Sequence, residues 1–541
     1  MKRQKRPKKA PAAPAAAVPA AGWPPPAREL TPGQALAVPL VAVAVMLGLT
    51  YGFARGNPYF VRTFLGAAVL LAVWVGVLYA SLRRGTRTVK LAVGIYKHHW
   101  VQACTQIVLY AWWGWQVRLV YAFFPLIIAQ LAFAYAVDSL LTWSRRDTYS
   151  LGFGPWPIIL SMNLFLWFRP QWFYFQLGMI LLGYLVKEFI RWNRDGRWRH
   201  IFNPSTFPLA AASLALILTR SSDITLGTFI ANTQFDPPHI YLVIFLASLP
   251  GQLMFGVVRM TLAAVLTAYG IGLVYLHATG TYLFFDAFIP VPVFLGMHLI
   301  MTDPSTSPRS ESGRIFFGIL YGLGTTALFV ILSGRGIPTF YDKLLPIPFM
   351  NLMVRAIDRA TETRPWRYLD PARVGRKLTP FRRNLAYVSM WVVAFTGMSA
   401  VRALGDRHPG QYLPFWKEAC SAGSDRACRY AAYLVDAYCH NGSGWACNED
   451  GIQIARNGRP ATETFERGCQ LGFSLACENA TRSATAPEAM ARSGPRLADL
   501  PIVLRGTKPP LRERDPDKLK ALACWEGWPG ACEGKLEETI L

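Results

Sequence analysis

Charge is scarce in this 541-residue chain: Asp, Glu, Lys and Arg make up 16% of it, and acids are the rarer kind, 32 against 56 basic residues. Charged residues ordinarily supply about a quarter of a soluble globular chain, so a soluble protein of this length would need more polar surface. Cysteine is absent before Cys420 apart from Cys104, which lies alone in an apolar block and reads as a small apolar residue. There is no CxxC and no CxxCH, which removes the thioredoxin-type and c-type haem chemistries. No Gly-x-Ser-x-Gly, no HExxH and no Walker A loop occurs either, so neither hydrolase chemistry nor nucleotide-driven transport is indicated.

Apolar sequence takes the place of charge. Hydrophobic residues make up 52% of the chain and its mean hydropathy is +0.24. They fall in blocks of the length that carries a helix across a bilayer, about 20 residues. Backbone in lipid must satisfy its own hydrogen bonds, so the blocks are expected to be helical. The spacing predicts spans near 36–54, 61–81, 101–117, 119–142, 152–168, 171–191, 204–220, 240–258, 261–279, 282–301, 313–333 and 386–404. A shorter proline-containing piece at 339–356 reads as a broken or tilted crossing. Trp112-Trp113-Gly114-Trp115 is expected to form a tight corner between two spans.

The net charge of +24 suits nucleic acid on a soluble protein, but here the basic residues punctuate the apolar blocks and the positive-inside rule accounts for them. No nucleic-acid partner is expected. Residues 1–35 read as a disordered basic cytoplasmic tail, with no apolar core of the signal-peptide kind behind the charges. The domain reading is a multi-span membrane part at 36–357, a basic cytoplasmic loop at 358–385, a last span at 386–404 and a cysteine-bearing region at 409–541 outside the cytoplasm. The fold class expected is all-α: a polytopic helical membrane protein of the cytoplasmic membrane with a small extracytoplasmic helical repeat domain.

The remaining cysteines come as Cys420/Cys428, Cys439/Cys447, Cys469/Cys477 and Cys524/Cys532, every pair with seven residues between. An alanine precedes each second cysteine, and glycine lies inside each interval. On one helix that separation rises about 12 Å, beyond the reach of a disulfide, about 4.4–6.8 Å between Cα atoms. A bonded pair therefore needs a turn, and the glycines supply it. Zinc sites space their cysteines more closely, so structural disulfides are favoured, and these belong to an oxidising compartment. The pattern resembles the cysteine-rich Sel1-like repeats, best at 415–428 and 465–477. That resemblance implies a helical solenoid presenting a surface to a protein partner.

Two further stretches carry a resemblance. His200-Ile201-Phe202-Asn203-Pro204-Ser205-Thr206-Phe207-Pro208 opens one span, and Met301-Thr302-Asp303-Pro304-Ser305-Thr306-Ser307-Pro308 precedes Gly313-Arg314 at the start of another. With Leu249-Pro250-Gly251 and the segment around Asn351, they resemble the membrane subunits NqrB and RnfD of redox-driven ion pumps, over about 90–357. Lys97-His98-His99-Trp100 and the stretch to Asp138 look like the NqrB/RnfD-like proteins labelled as enediyne-biosynthesis proteins. The resemblance implies electron transfer through a flavin, other subunits of a redox complex as partners and a link to an ion. Asn203, Asp303 and Arg314 either contact that flavin or pin helix junctions. In the family, flavin mononucleotide is held on a threonine of a Ser/Thr-Gly-Ala-Thr motif. Here the corresponding loop reads Asp223-Ile224-Thr225-Leu226-Gly227-Thr228-Phe229, which places Phe229, without a nucleophilic oxygen, at the acceptor position. FMN or riboflavin held non-covalently is therefore the expectation, with Thr228, Thr225 and Thr233 as fallback acceptors. A non-redox transporter or channel, or an anchor for the repeat domain, are the alternative readings. Asp138, an acid near a span end, is a functional candidate in its own right or an interfacial neighbour of Arg145 and Arg146.

Overall fold

Proline opens many of the helices, at first-turn positions where its missing N–H leaves no intrahelical bond unmade. The structure is a computed structural model that describes residues 28–483, apart from 86–88, 195, 364, 365, 367, 369, 375–377 and 407, together with 520, 521 and 524. The fold is all-helical with a few short strands.

Strand β1 (Arg28–Glu29) leads into α1 (Pro32–Tyr51) and α2 (Pro58–Arg83). Strand β2 (Lys90–Gly94) precedes α3 (Lys97–Gln116), α4 (Arg118–Ala122) and α5 (Phe124–Arg146). Next come β3 (Thr148–Gly152), α6 (Pro155–Asn163) and α7 (Tyr174–Phe189). A hairpin of β4 (Arg191–Arg194) and β5 (Arg197–His200) precedes α8 (Thr206–Thr219) and α9 (Gly227–Thr233). The bundle continues with α10 (Ile240–Phe255), α11 (Val258–Thr279), α12 (Val291–Leu299), α13 (Glu311–Gly334) and α14 (Pro346–Glu362). After α15 (Pro371–Val374) and α16 (Pro380–Ala400), the last described helices are α17 (Leu413–Ser421), α18 (Asp425–His440), α19 (Gly444–Arg456), α20 (Thr462–Gln470) and α21 (Ser474–Ser483). Among the described residues, five helices (α1, α2, α5, α11 and α13) are long and apolar enough to cross a membrane.

The packing contains a repeat. Helix α3 packs on α6, α5 on α6 and α7, and α7 on α8; in the same way α10 packs on α12, α11 on α12 and α13, and α13 on α14. The two five-helix sets meet through α3 against α10 and α8 against α14. An odd number of alternating helices brings the second set in from the opposite end, so the sets are inverted relative to each other. One sequence echo marks the pair: Pro155-Trp156-Pro157-Ile158-Ile159-Leu160-Ser161-Met162-Asn163 over α6 and Pro290-Val291-Pro292-Val293-Phe294-Leu295-Gly296-Met297-His298 over α12.

Both echoed segments are half-length helices. Each has nine residues, or about 14 Å of rise, so the blocks 152–168 and 282–301 are helical over only part of their length. Side chains stand in for the missing helical bonds. Past α6, buried Gln176 donates from Nε2 to the Leu166 carbonyl (3.2 Å) and accepts the Phe168 N–H on Oε1 (3.2 Å). Gln234 Nε2 donates to the Leu164 carbonyl at 2.7 Å. Beside α12, the Tyr241 hydroxyl donates to Ile289 and Thr261 to Met297. Irregular backbone inside an apolar bundle persists only when satisfied in this way. The tryptophan corner is also displaced: Trp112–Trp115 lie within the last turns of α3, and the chain bends at Val117 instead. Trp112 and Trp113 are held in the helix because their indole N–H groups donate across to Pro238 and Thr233.

Helices α17–α21 form hairpins whose turns carry the disulfides. Cys420–Cys428, Cys439–Cys447 and Cys469–Cys477 are bonded, with Cα separations of 4.6, 4.5 and 4.6 Å. Gly423, Gly442 and Gly472 take positive φ at the turns, the left-handed region where glycine meets no Cβ penalty. The next N–H then returns to a carbonyl five residues back: Ser424 to Ala419, Ser443 to Tyr438, Phe473 to Gly468. Ser424 and Ser443 go on to cap the following helix. Cys532, and with it the fourth pair, lies outside the described residues, as does the expected tail before residue 28. Cys104 is free and exposed on the bundle surface.

This disulfide-bearing region is seated on the bundle through aromatic contacts. Phe285, held at φ +67°, stacks on Tyr430 with ring centroids 4.4 Å apart, and Arg426 lies over the Phe285 ring at 4.2 Å. Tyr282 packs on His408 and Phe415.

Candidate functional site

At the opposite end of the bundle, basic residues that close the helices gather instead of spreading. Helix α5 ends in Arg145-Arg146 and α7 in Lys187-Glu188, and the two helices pack together. Glu188, 3% exposed, is the centre of the cluster. Its carboxylate lies 2.7 Å from Arg146, 3.3 Å from Arg145 and 3.9 Å from Arg191. Lys187 Nζ pairs with Asp138 Oδ1 at 3.1 Å. Asp138 is thus bound to α7 and not to the arginines that follow it in the sequence.

A cavity of about 1050 Å³ opens beside this cluster. Among the described residues, Arg145, Arg146, Lys187, Arg191 and Arg199 line it, against the two carboxylates Asp138 and Glu188. Tyr96, Phe189 and Trp198 supply aromatic surface; Phe189 is 53% and Trp198 64% exposed. The floor is backbone. Gly94 and Gly152 face each other in the parallel pairing of β2 and β3, and a Cβ on Gly152 would stand 2.2 Å from the Gly94 carbonyl oxygen. Gly154 and Pro155 bring the N-terminal end of α6, with its positive dipole, to the same wall. An anion with a planar aromatic part fits this lining: guanidinium groups for the charge, rings for the plane. The volume matches the upper range of small-molecule sites, about 300–1,000 Å³.

Asn203, Asp303 and Arg314 each sit at a helix junction, and of the three Asp303 is the one joined to the cavity lining, through His200 and Ser305. Asn203 Oδ1 accepts from the Ser205 N–H (2.9 Å) and hydroxyl (2.8 Å), its N–H donates to Asn351 Oδ1, and its Nδ2 reaches the Ile300 carbonyl. Asn351 in turn donates to the Thr306 carbonyl. The pair therefore ties the start of α8 to α14 and to the segment after α12. Asp303 accepts from the Ser305 N–H at 2.9 Å and the Thr306 hydroxyl at 3.1 Å, and its Oδ2 is 3.8 Å from His200 Nε2. His200 and Ser305 line the large cavity, so Asp303 stands at its edge. Arg314 donates to the carbonyls of Pro308, Phe255 and Gly256, joining α13 to the end of α10. Thr228 is elsewhere: it is exposed in the first turn of α9, beyond the far end of α8. Near it, Thr225 donates to the Ser222 carbonyl and Thr233 to that of Phe229.

Sequence reading passed over Glu188. The available signal was an acid set among basic residues at the end of an apolar span. His99, noted only as one of two adjacent histidines, lines the large cavity. No protein-family model matches this chain, and no curated protein or solved structure was found similar to it.

Proposed function

We propose that this chain is a multi-pass subunit of the cytoplasmic membrane, of the NqrB/RnfD-like type, that takes part in electron transfer with FMN or riboflavin held non-covalently. The large basic cavity with its aromatic rim is the observation that carries this reading. Its arginines suit a flavin phosphate and its rings suit an isoalloxazine face. Bound there, a flavin would supply one- and two-electron chemistry; the chain's own residues would orient it and set the charge around it. On this reading Asn203 and Asp303 are positioning residues, since their bonds hold the segment that carries Ser305 beside the cavity, and Arg314 pins the junction of α13 with the end of α10. Thr228, exposed on the other side, is the fallback for covalent attachment.

The orientation follows from charge. The end that holds Arg145, Arg146, Lys187 and Arg191 faces the cytoplasm, and the disulfide-bonded helices face an oxidising space. There the Sel1-like hairpins offer a binding surface to a protein partner, and other redox subunits contact the bundle. A second reading, transport without redox chemistry, draws on the inverted pair of half-length helices α6 and α12, an arrangement that secondary transporters use.

Binding of FMN and of riboflavin to the purified protein, followed by quenching of flavin fluorescence, separates the two. Electron transfer expects both to bind, Arg146→Ala to weaken FMN more than riboflavin because only FMN carries the phosphate, and Trp198→Ala to weaken both. Equal loss of the two flavins in Arg146→Ala removes the assigned orientation, and no binding of either removes the reading.

A further inference from the structure

A cavity of about 420 Å³ opens where the disulfide-bearing helices sit on the bundle. One side is built by the last two turns of α11, with Tyr275, and of α13, with Val330 and Ser333. The other side is α18, which brings Arg426 and Arg429. Helices α11 and α13 are both long and apolar enough to cross a membrane, so their last turns put the cavity at the edge of the apolar slab.

The charged lining is these two arginines and, among the described residues, no carboxylate. Arg426 is held in place. Its Nη2 donates to the Tyr282 and Leu283 carbonyls, and its guanidinium lies over the Tyr275 ring at 5.4 Å and the Phe285 ring at 4.2 Å. Its buried Nε finds no partner among the described residues, so part of the donor set is unspent. Arg429, three residues on and so a neighbour on the same face of α18, is exposed and is paired with no carboxylate among the described residues. Asp286, whose charge bears on Tyr430 and Tyr433, stands outside the lining. Two adjacent guanidinium groups without a counter-charge in the cavity suit an anion with several oxygens, a phosphate above all. Tyr275, Tyr430 and Tyr433 add the amphipathic rings that settle at a membrane interface.

Away from the arginines the lining turns apolar, through Leu283, Phe329 and Val330. Val330 is 51% exposed, and Leu323, seven residues before it on the same face of α13, is 45% exposed. An apolar stripe about 10 Å long thus runs from the cavity along the bundle surface. A free anion has no use for that stripe, whereas an acyl chain does. We propose that the cavity holds the headgroup of one anionic glycerophospholipid of the outer leaflet, with its phosphate on Arg426 and Arg429 and an acyl chain along Val330 and Leu323. Basic pockets beside membrane helices take lipid headgroups in this way. The lipid touches α18 on one side and α11 and α13 on the other, so it joins the disulfide-bearing helices to the bundle. The proposal rests on the membrane reading and on the outward-facing disulfide end, and not on flavin.

The test titrates the full chain in neutral detergent with phosphatidylglycerol, and separately with phosphatidylcholine, and counts bound lipid per chain by native mass spectrometry. One tightly held phosphatidylglycerol per chain is expected before any phosphatidylcholine is retained, and it should raise Tm saturably. Arg429→Ala should move the midpoint to about fivefold higher lipid, the worth of one arginine near a membrane surface. Ser333→Glu, which brings a carboxylate into the cavity, should weaken binding by at least as much. Equal retention of the two lipids, or an unchanged midpoint in folded Arg429→Ala and Ser333→Glu proteins, would overturn the proposal. Displacement of the lipid by millimolar inorganic phosphate or glycerophosphate would overturn the lipid assignment and leave a site for free anions. Flavin content of the same samples should not change with lipid or with either variant, so failure of this site and failure of the flavin reading are told apart. A chain that stays dispersed without detergent would remove the membrane reading and the proposal with it.

Discussion

Replacing Gln176 by leucine should destabilise the bundle out of proportion to the small change in shape. Gln176 is fully buried and makes two bonds to unwound backbone, one to the Phe168 N–H and one to the Leu166 carbonyl, both at 3.2 Å. Leucine has similar bulk and no polar atoms, so Gln176→Leu leaves both backbone groups buried and unmatched. An orphaned buried group costs about 1–3 kcal/mol, which puts the loss at about 2–6 kcal/mol for the pair. Side-chain hydrogen bonds inside membrane bundles have averaged about 0.6 kcal/mol each where the unfolded state finds other partners, which sets the lower bound for the two bonds at about 1 kcal/mol. The assay is reversible unfolding in mixed micelles, read by tryptophan fluorescence. Gln453→Leu, the same chemical change at an exposed position of α19, serves as control and should shift stability by less than about 0.5 kcal/mol. A folded Gln176→Leu protein that matches this control would refute the claim that side chains carry the backbone of the half-length helices.

Other outcomes follow from single contacts. Glu188→Gln removes the buried anion between Arg145, Arg146 and Arg191 and should cost about 3–5 kcal/mol, measured in the same unfolding assay. Replacing Cys439 and Cys447 together by serine opens a loop of sequence separation 8, which chain-entropy reasoning values at about 2.5 kcal/mol. Limited proteolysis should then cut within 413–470 at a protease dose that spares the oxidised protein. His408, 1% exposed, lies under the repeat helices with its ring 4.3 Å from that of Tyr282, and burial lowers its pKa from 6.5 to about 3. Its neutral form is the one folded in place, so its contribution is complete above pH 6.5 and is lost as pH falls from 6.5 toward 3. Acid should release the repeat helices before the bundle unfolds, and His408→Phe should flatten that dependence in proteolysis against pH.

Sequence reading reached those parts of the fold that local chemistry decides. Apolar length marked the helical blocks, and the cysteine spacing with its glycines marked three hairpin turns whose Cα separations fall where a disulfide requires them. Hydropathy could not separate helix from unwound backbone in 152–168 and 282–301, because the residues that satisfy that backbone, Gln176, Gln234 and Tyr241, lie in other segments. The same limit hid the pairing of β2 with β3, which joins strands on either side of α3 and α5. In the candidate site, Asn203, Asp303 and Arg314 stood out by motif, each at a helix junction, with Asp303 joined to the cavity lining. Glu188 did not, since an acid set among Lys187, Arg191, Arg194, Arg197 and Arg199 in sequence gives no sign that three arginines converge on it in space. The inverted arrangement was almost invisible: only the nine residues at Pro155–Asn163 and Pro290–His298 echo each other, and packing constrains the other helix pairs without fixing their residues.

Flavin content is the most direct test of the central claim. The full chain is purified in detergent from cells supplied with riboflavin, and flavin is sought in the acid-soluble extract and in the denatured protein band. The account expects near-stoichiometric FMN or riboflavin in the extract and none in the band. Flavin confined to the band would move attachment to a residue such as Thr228 and away from the basic cavity. A folded preparation with no flavin in either fraction would contradict electron transfer and leave the transport reading.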